Sequence, residues 1–136
     1  YFEKIKEFNS LNPRSYVKCY EFLTDMDLAF AAADVVISRA GAGTISELCI
    51  AAKAVIFVPS PNVAEDHQTH NARSLSDKGA ALLVPDNMAD DELMNAAMEL
   101  IKDDIKVKEL ENRIEKMALR DSAEVIAREI IKTSTR

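Results

Sequence analysis

Short apolar runs alternate with amphipathic stretches along most of this chain. Tyr16–Tyr20, Val35–Ile37, Ala54–Val58 and Ala80–Val84 read as strands. Their near-continuous hydrophobicity predicts burial on both faces, as in a parallel sheet. Helical segments lie between them, near Asp25–Ala33, Thr44–Ala52 and His67–Lys78. Strict alternation implies βαβ crossovers, and therefore an α/β fold in which helices cover both faces of an open parallel sheet. After the last strand the pattern becomes wholly helical. Leu93, Ala96, Ala97, Leu100 and Ile101 share one helix face, Val107, Leu110, Ile114 and Met117 form a narrower stripe, and Ala123, Ile126, Ala127, Ile130 and Ile131 repeat the wider one. The run Asp121-Ser122-Ala123-Glu124 reads as a capping box at the start of the third of these helices.

The chain opens in a helix, about Tyr1–Asn9, with no strand before it. A doubly wound domain normally starts with a strand, and the first predicted strand would leave an edge that a neighbour should cover. These two features predict a piece of a longer protein. No internal repeat, low-complexity segment or linker is visible.

Composition narrows the function classes. The 136 residues carry 17 basic and 23 acidic side chains, a net charge of −6. A sequence-independent nucleic-acid binder needs a cationic field to replace phosphate counterions, so no nucleic-acid partner is expected. No apolar run approaches the roughly 20 residues that cross a bilayer. Tyr1 leads directly into a charged helical pattern, so no signal peptide is expected. Cys19 and Cys49 form neither a metal-spacing motif nor a disulfide framework, which points to a reducing, cytosolic compartment.

In open parallel sheets ligands bind beyond the carboxyl ends of the strands. Three segments here follow strands directly: Glu21–Met26, Ser38–Thr44, and Pro59 through Asn71. The second is a strand, a glycine-containing loop and a helix. The helix start offers unpaired N–H groups and a positive dipole end, which suits phosphate. Gly41-Ala42-Gly43 lacks the third glycine of the dinucleotide fingerprint, because position 46 is Ser, and no Lys-Ser/Thr pair marks a P-loop. A tight turn without ligand and a phosphate cradle both fit.

Thr44 and Glu47 have capping-box spacing, with Thr44 capping the helix and Glu47 reaching back to its amide. A diphosphate at this helix end would compete for the same amides, and Glu47 could then turn outward to a ribose diol. Arg39 is either a charge partner for that diphosphate or a solvated surface arginine. Gln68, Asn71, Ala72 and Leu75 lie on one helical stripe whose first two members are amides. Buried amides require partners, either backbone groups or sugar hydroxyls. His67 and His70 have no third ligand in view, so no metal site is expected, and Asp66 or Glu65 serves the helix start. Phe22 and Leu23 are by default core residues, or else they wall a flat base at the sheet edge. No Ser/His/Asp, Cys/His or paired-carboxylate constellation is present, so no catalytic residue is assigned.

The run Asp34-Val35-Val36-Ile37-Ser38-Arg39-Ala40-Gly41-Ala42-Gly43-Thr44-Ile45-Ser46-Glu47-Leu48 resembles the donor-site signature of the MurG-type UDP-N-acetylglucosamine transferases of bacterial peptidoglycan synthesis. Upstream Glu21-Phe22-Leu23-Thr24-Asp25-Met26 and downstream Asp66-His67-Gln68-Thr69-His70-Asn71-Ala72 match that family at the expected distances, and the resemblance runs from about Tyr16 to the C-terminus. It implies a GT-B glycosyltransferase of two Rossmann-like domains, with residues 1–136 an incomplete C-terminal donor-binding domain and the acceptor domain absent. The implied reaction moves N-acetylglucosamine from UDP-N-acetylglucosamine to lipid I, giving lipid II at the cytoplasmic face of the membrane, with peripheral membrane contact by the intact protein. By the same resemblance Phe22 and Leu23 lie along the uracil, while Ala42, Gly43 and Thr44 offer amides to the diphosphate. Glu47 holds the ribose, His67, Gln68 and Asn71 face the sugar, and Arg39 sits in the diphosphate loop. Some members carry Gln at the position of His67. The resemblance implies no metal and no cofactor, and the isolated chain is expected to be inactive. Competing readings are the soluble subunit of a split transferase, a non-catalytic nucleotide-binding or interaction module, and, least favoured, a dinucleotide oxidoreductase fragment.

Overall fold

The computed structural model describes residues 2–11, 16–62 and 66–134. Tyr1 and Glu65, both named above, lie outside them. In order, the elements are α1 (Phe2–Leu11), α2 (Met26–Ala32), β1 (Val35–Ser38), α3 (Ala42–Ala51), β2 (Ala54–Phe57), α4 (His67–Ser76), β3 (Leu82–Leu83), a 3₁₀ turn (Asp86–Met88), α5 (Ala89–Leu100), α6 (Asp104–Glu115) and α7 (Ser122–Ser134).

The expected α/β architecture is present, and every strand pairing is parallel. The sheet runs β1-β2-β3, with Val35 opposite Ala54 and Ile56 opposite Leu82. All four residues of β2 are buried, as its uninterrupted apolar sequence requires of a central strand. Side-chain alternation then sorts two apolar layers. Val36, Val55, Phe57 and Leu83 pack with Leu48 and Cys49 of α3 and Ala72 and Leu75 of α4. On the opposite face Val35, Ala54, Ile56 and Leu82 meet Leu93 and Leu100 of α5 and Leu110 of α6. Helix α6 reaches both layers, because Ile114, one turn after Leu110, belongs to the first.

One predicted strand is corrected. Residues Tyr16–Tyr20 form no ladder, and all five are exposed. Their apolar character is not continuous, since Lys18 interrupts it. Strand geometry also lasts only where a neighbour accepts the backbone hydrogen bonds. The last predicted strand shortens to Leu82–Leu83, with Ala80 and Ala81 buried ahead of it.

Two helix ends have clear causes. Helix α3 closes through Ala52, in the left-handed region at φ 52°, with Ala52 N–H and Lys53 N–H donating to Cys49 O and Leu48 O. The turn after α4 uses Gly79 at φ +63°, a conformation that a glycine adopts without strain. By contrast, α7 buries none of its residues. No described helix is long and apolar enough to cross a membrane.

Candidate functional site

Parallel pairing places the loops after β1, β2 and β3 at one edge of the sheet. Three sets of side-chain contacts tie these loops together. Gln68 of α4 turns its Oε1 inward, where it accepts from Ala40 N–H at 3.2 Å and from Ser60 N–H at 2.9 Å. One turn later Asn71 Nδ2 donates to Ala40 O at 3.2 Å. Both polar groups of the buried Ala40 backbone are therefore satisfied by α4, which is the backbone answer to the question its two amides pose. Two N–H donors can be met only by an oxygen, so the orientation of the Gln68 amide is fixed, with its NH₂ taking no part in these two bonds.

Arg39 supplies the third tie, from the other side of the sheet. Odd-numbered residues of β1 face α5, and Arg39 continues that alternation. Its Nη1 donates to Val58 O at 3.1 Å and Pro59 O at 3.4 Å, and it pairs with Asp86 on the 3₁₀ turn. The guanidinium lies across the carboxyl ends of the strands rather than over the start of α3. Asp86 carries no signal in the sequence pattern, and only the structure brings it to Arg39.

The glycine loop itself differs from the predicted pattern. Helix α3 begins at Ala42, so Thr44 sits inside the first turn and the expected Thr44–Glu47 capping box does not form. The residue in the cap position is Gly41, extended at φ −68° and ψ 145°, which has no side chain to close the helix. Among the described residues no side chain accepts from the amides of Ala42, Gly43 or Thr44. A Cβ placed on Gly43 would meet nothing within 4 Å, so the space above this turn is open. One turn on, Glu47 is exposed at the rim of a groove of about 560 Å³ between α2 and α3. Met26, Phe30, Ile50 and Ala51 give the groove apolar walls, and Lys53 closes one end with its Nζ on Ala33 O at 3.0 Å.

The remaining expected residues scatter more widely. Phe22 is 81% exposed, which removes its default placement in the core, and Leu23 is half-buried. His67 is exposed at the first position of α4, and Asp66 stands in the cap position in the left-handed region at φ 52°, where its carboxylate accepts from Thr69 Oγ1 at 2.6 Å and from no helix amide, so the expected service to the helix start is not made by a side-chain cap. Cys49 is buried in the α3 layer, and that burial raises its thiol pKa above the ordinary value. This takes it out of nucleophilic chemistry.

Comparison with known proteins places this arrangement. The glycosyltransferase family 28 C-terminal domain matches the chain over residues 2–128. The UDP-N-acetylglucosamine--N-acetylmuramyl-(pentapeptide) pyrophosphoryl-undecaprenol N-acetylglucosamine transferase of Bacteroides thetaiotaomicron is 56% identical over 120 residues, which is 88% of this chain and 32% of that protein. The protein of the same name from Flavobacterium psychrophilum is 44% identical over 132 residues, covering 97% of this chain and 35% of its own length. Among solved structures, Acinetobacter baumannii MurG superposes with a TM-score of 0.77 at 31% identity, over 85% of this chain and 33% of that one. The chain thus spans about a third of the length of the relatives it matches.

Proposed function

This chain belongs to the glycosyltransferase family 28 C-terminal domain family, and from that premise we propose that it is the donor-binding part of a lipid I N-acetylglucosamine transferase. In this reading residues 1–136 are an incomplete C-terminal domain that takes UDP-N-acetylglucosamine. A separate domain holds lipid I at the cytoplasmic face of the membrane, and the whole protein makes lipid II for peptidoglycan. The names of the relatives support the reaction, and the share of their length covered supports the division of labour.

The observation that carries the reading is the open first turn of α3. Gly41 leaves the amides of Ala42, Gly43 and Thr44 without a side-chain cap, at the positive end of a helix dipole. A diphosphate placed there completes their hydrogen bonds. As the glycosidic bond breaks, negative charge grows on the departing UDP, and fixed amides stabilise that charge more than they stabilise the intact donor. Glu47, exposed one turn further along, takes the ribose hydroxyls, which donate to a carboxylate. Phe22 and Leu23 lie along the uracil, and His67, Gln68 and Asn71 face the sugar. With its oxygen engaged by Ala40 and Ser60, Gln68 meets the sugar as a donor only. Arg39 serves the site by holding the loop rather than by touching phosphate.

Calorimetric titration with UDP-N-acetylglucosamine, UDP and NADH tests this directly. Both uridine ligands bind and NADH does not. Glu47→Ala weakens both by about 10-fold or more, the loss expected for hydrogen bonds to a charged group. Binding of NADH, or equal affinity in the variant, overturns the reading. Lipid II formation from a lipid I analogue is absent for the isolated chain. Product above a Glu47→Ala control contradicts the division into donor and acceptor parts.

A further inference from the structure

We infer that Asp86 is a positioning residue for diphosphate binding, acting through Arg39 on the backbone that leads into the glycine loop. The inference rests on the donor-binding reading above for its ligand, but its geometry stands alone. Residues 39–40 and 58–60 are the two stretches that enter the site from β1 and β2. Gln68 ties them on the α4 side by accepting from Ala40 N–H and Ser60 N–H together. On the α5 side the tie is Arg39, whose Nη1 donates to Val58 O and Pro59 O. Only one nitrogen makes these contacts, so the direction of the guanidinium decides whether they persist.

Asp86 sets that direction. It meets the same Nη1 from the 3₁₀ turn after β3, and so draws the third strand's loop into the tie. It also fixes which way the arginine charge points. Held by Asp86, it stays on the opposite face of the sheet. The carboxylate therefore stiffens the approach to Gly41 through one contact. Asp90 at the start of α5 lines the same pocket as Arg39, but Asp86 is the carboxylate that meets the guanidinium.

A direct phosphate contact and a positioning role give opposite signs for one variant. UDP titrations on the chain and on Arg39→Ala, Asp86→Ala and the double variant separate them. In a positioning role each single variant weakens UDP by a similar factor of about 3 to 10, and the double variant is no worse than either. Asp86→Asn, which keeps an acceptor oxygen, recovers part of the loss. If Arg39 touches phosphate instead, Asp86→Ala releases it and tightens UDP, which overturns the proposal. A second readout needs no ligand. Amide exchange at Ala40 and Ser60 accelerates several-fold in Asp86→Ala, while Val55 and Ile56 in the buried strand keep their protection. Unchanged exchange at Ala40 and Ser60 also overturns the proposal. If the unmodified chain fails to bind UDP, the donor-binding reading falls and takes Asp86's diphosphate role with it. The exchange result then decides the loop tie alone.

Discussion

At the scale of single residues, the site depends on which half of a polar group is already engaged. Gln68 shows this most clearly. Its oxygen bridges two backbone N–H groups from different loops, and its nitrogen is the half left to a ligand. Replacing it separates the two halves. Gln68→Ala leaves both backbone donors without a partner and costs about 2 kcal/mol of unfolding free energy. Gln68→Glu keeps the bridging oxygen and costs less than about 1 kcal/mol, yet it removes the donor side and places a negative charge near the proposed sugar and diphosphate. Urea denaturation with UDP-N-acetylglucosamine titration checks both: equal stability losses in the two variants contradict the bridge. The sequence already marks Gln68 and Asn71 as amides on a buried stripe that must find partners. It does not choose between backbone and sugar, because that choice depends on where the loop after β1 passes relative to α4.

At the scale of elements, legibility follows how local the deciding interaction is. Strand β2 is visible because burial on both faces leaves a continuous apolar run, and β1 carries such a run too, although none of its residues is buried and Ile37 is 43% exposed. Tyr16–Tyr20 has strand-like residues but no ladder, and pairing is not written within five residues. The start of α3 was displaced for a related reason. Thr44-x-x-Glu47 has capping spacing, yet the pattern cannot say that Ala42 and Gly43 continue the helix backward to Gly41. Helix ends also carry a testable contrast. Ala52 occupies the left-handed region at φ 52°, whereas the turn after α4 has Gly79 at φ +63°. The left-handed conformation costs a residue with a Cβ about 1 to 2 kcal/mol, partly offset by glycine's larger unfolded-state entropy. Ala52→Gly therefore stabilises by about 0.5 kcal/mol. Gly79→Ala destabilises by about 1 kcal/mol, with Arg113 moving aside because the new Cβ would run into its Nη1. Thermal melts of the two variants should shift in opposite directions.

At the scale of the whole molecule, apolar surface is divided unevenly between a packed centre and open helices. Leu110 and Ile114 are fully buried where α6 meets both layers of the sheet. Ile126 and Ile130 on α7 are 59% and 61% exposed. Leu110→Ala consequently costs about 3 kcal/mol in urea denaturation, while Ile130→Ala costs less than about 0.5 kcal/mol. A comparable loss from both would mean that α7 is packed in solution. The bare cap at Gly41 has a different consequence, for anyone who tries to make this protein sturdier. Its extended backbone accepts any residue, and a Cβ there meets only Thr44 Oγ1 at 3.8 Å. Aspartate fits and closes the helix, with a gain of about 0.5 kcal/mol. The same carboxylate occupies the place proposed for the diphosphate and repels it. Heat resistance and nucleotide affinity are thus opposed at this position, and a library screened for survival at high temperature would discard its own ligand.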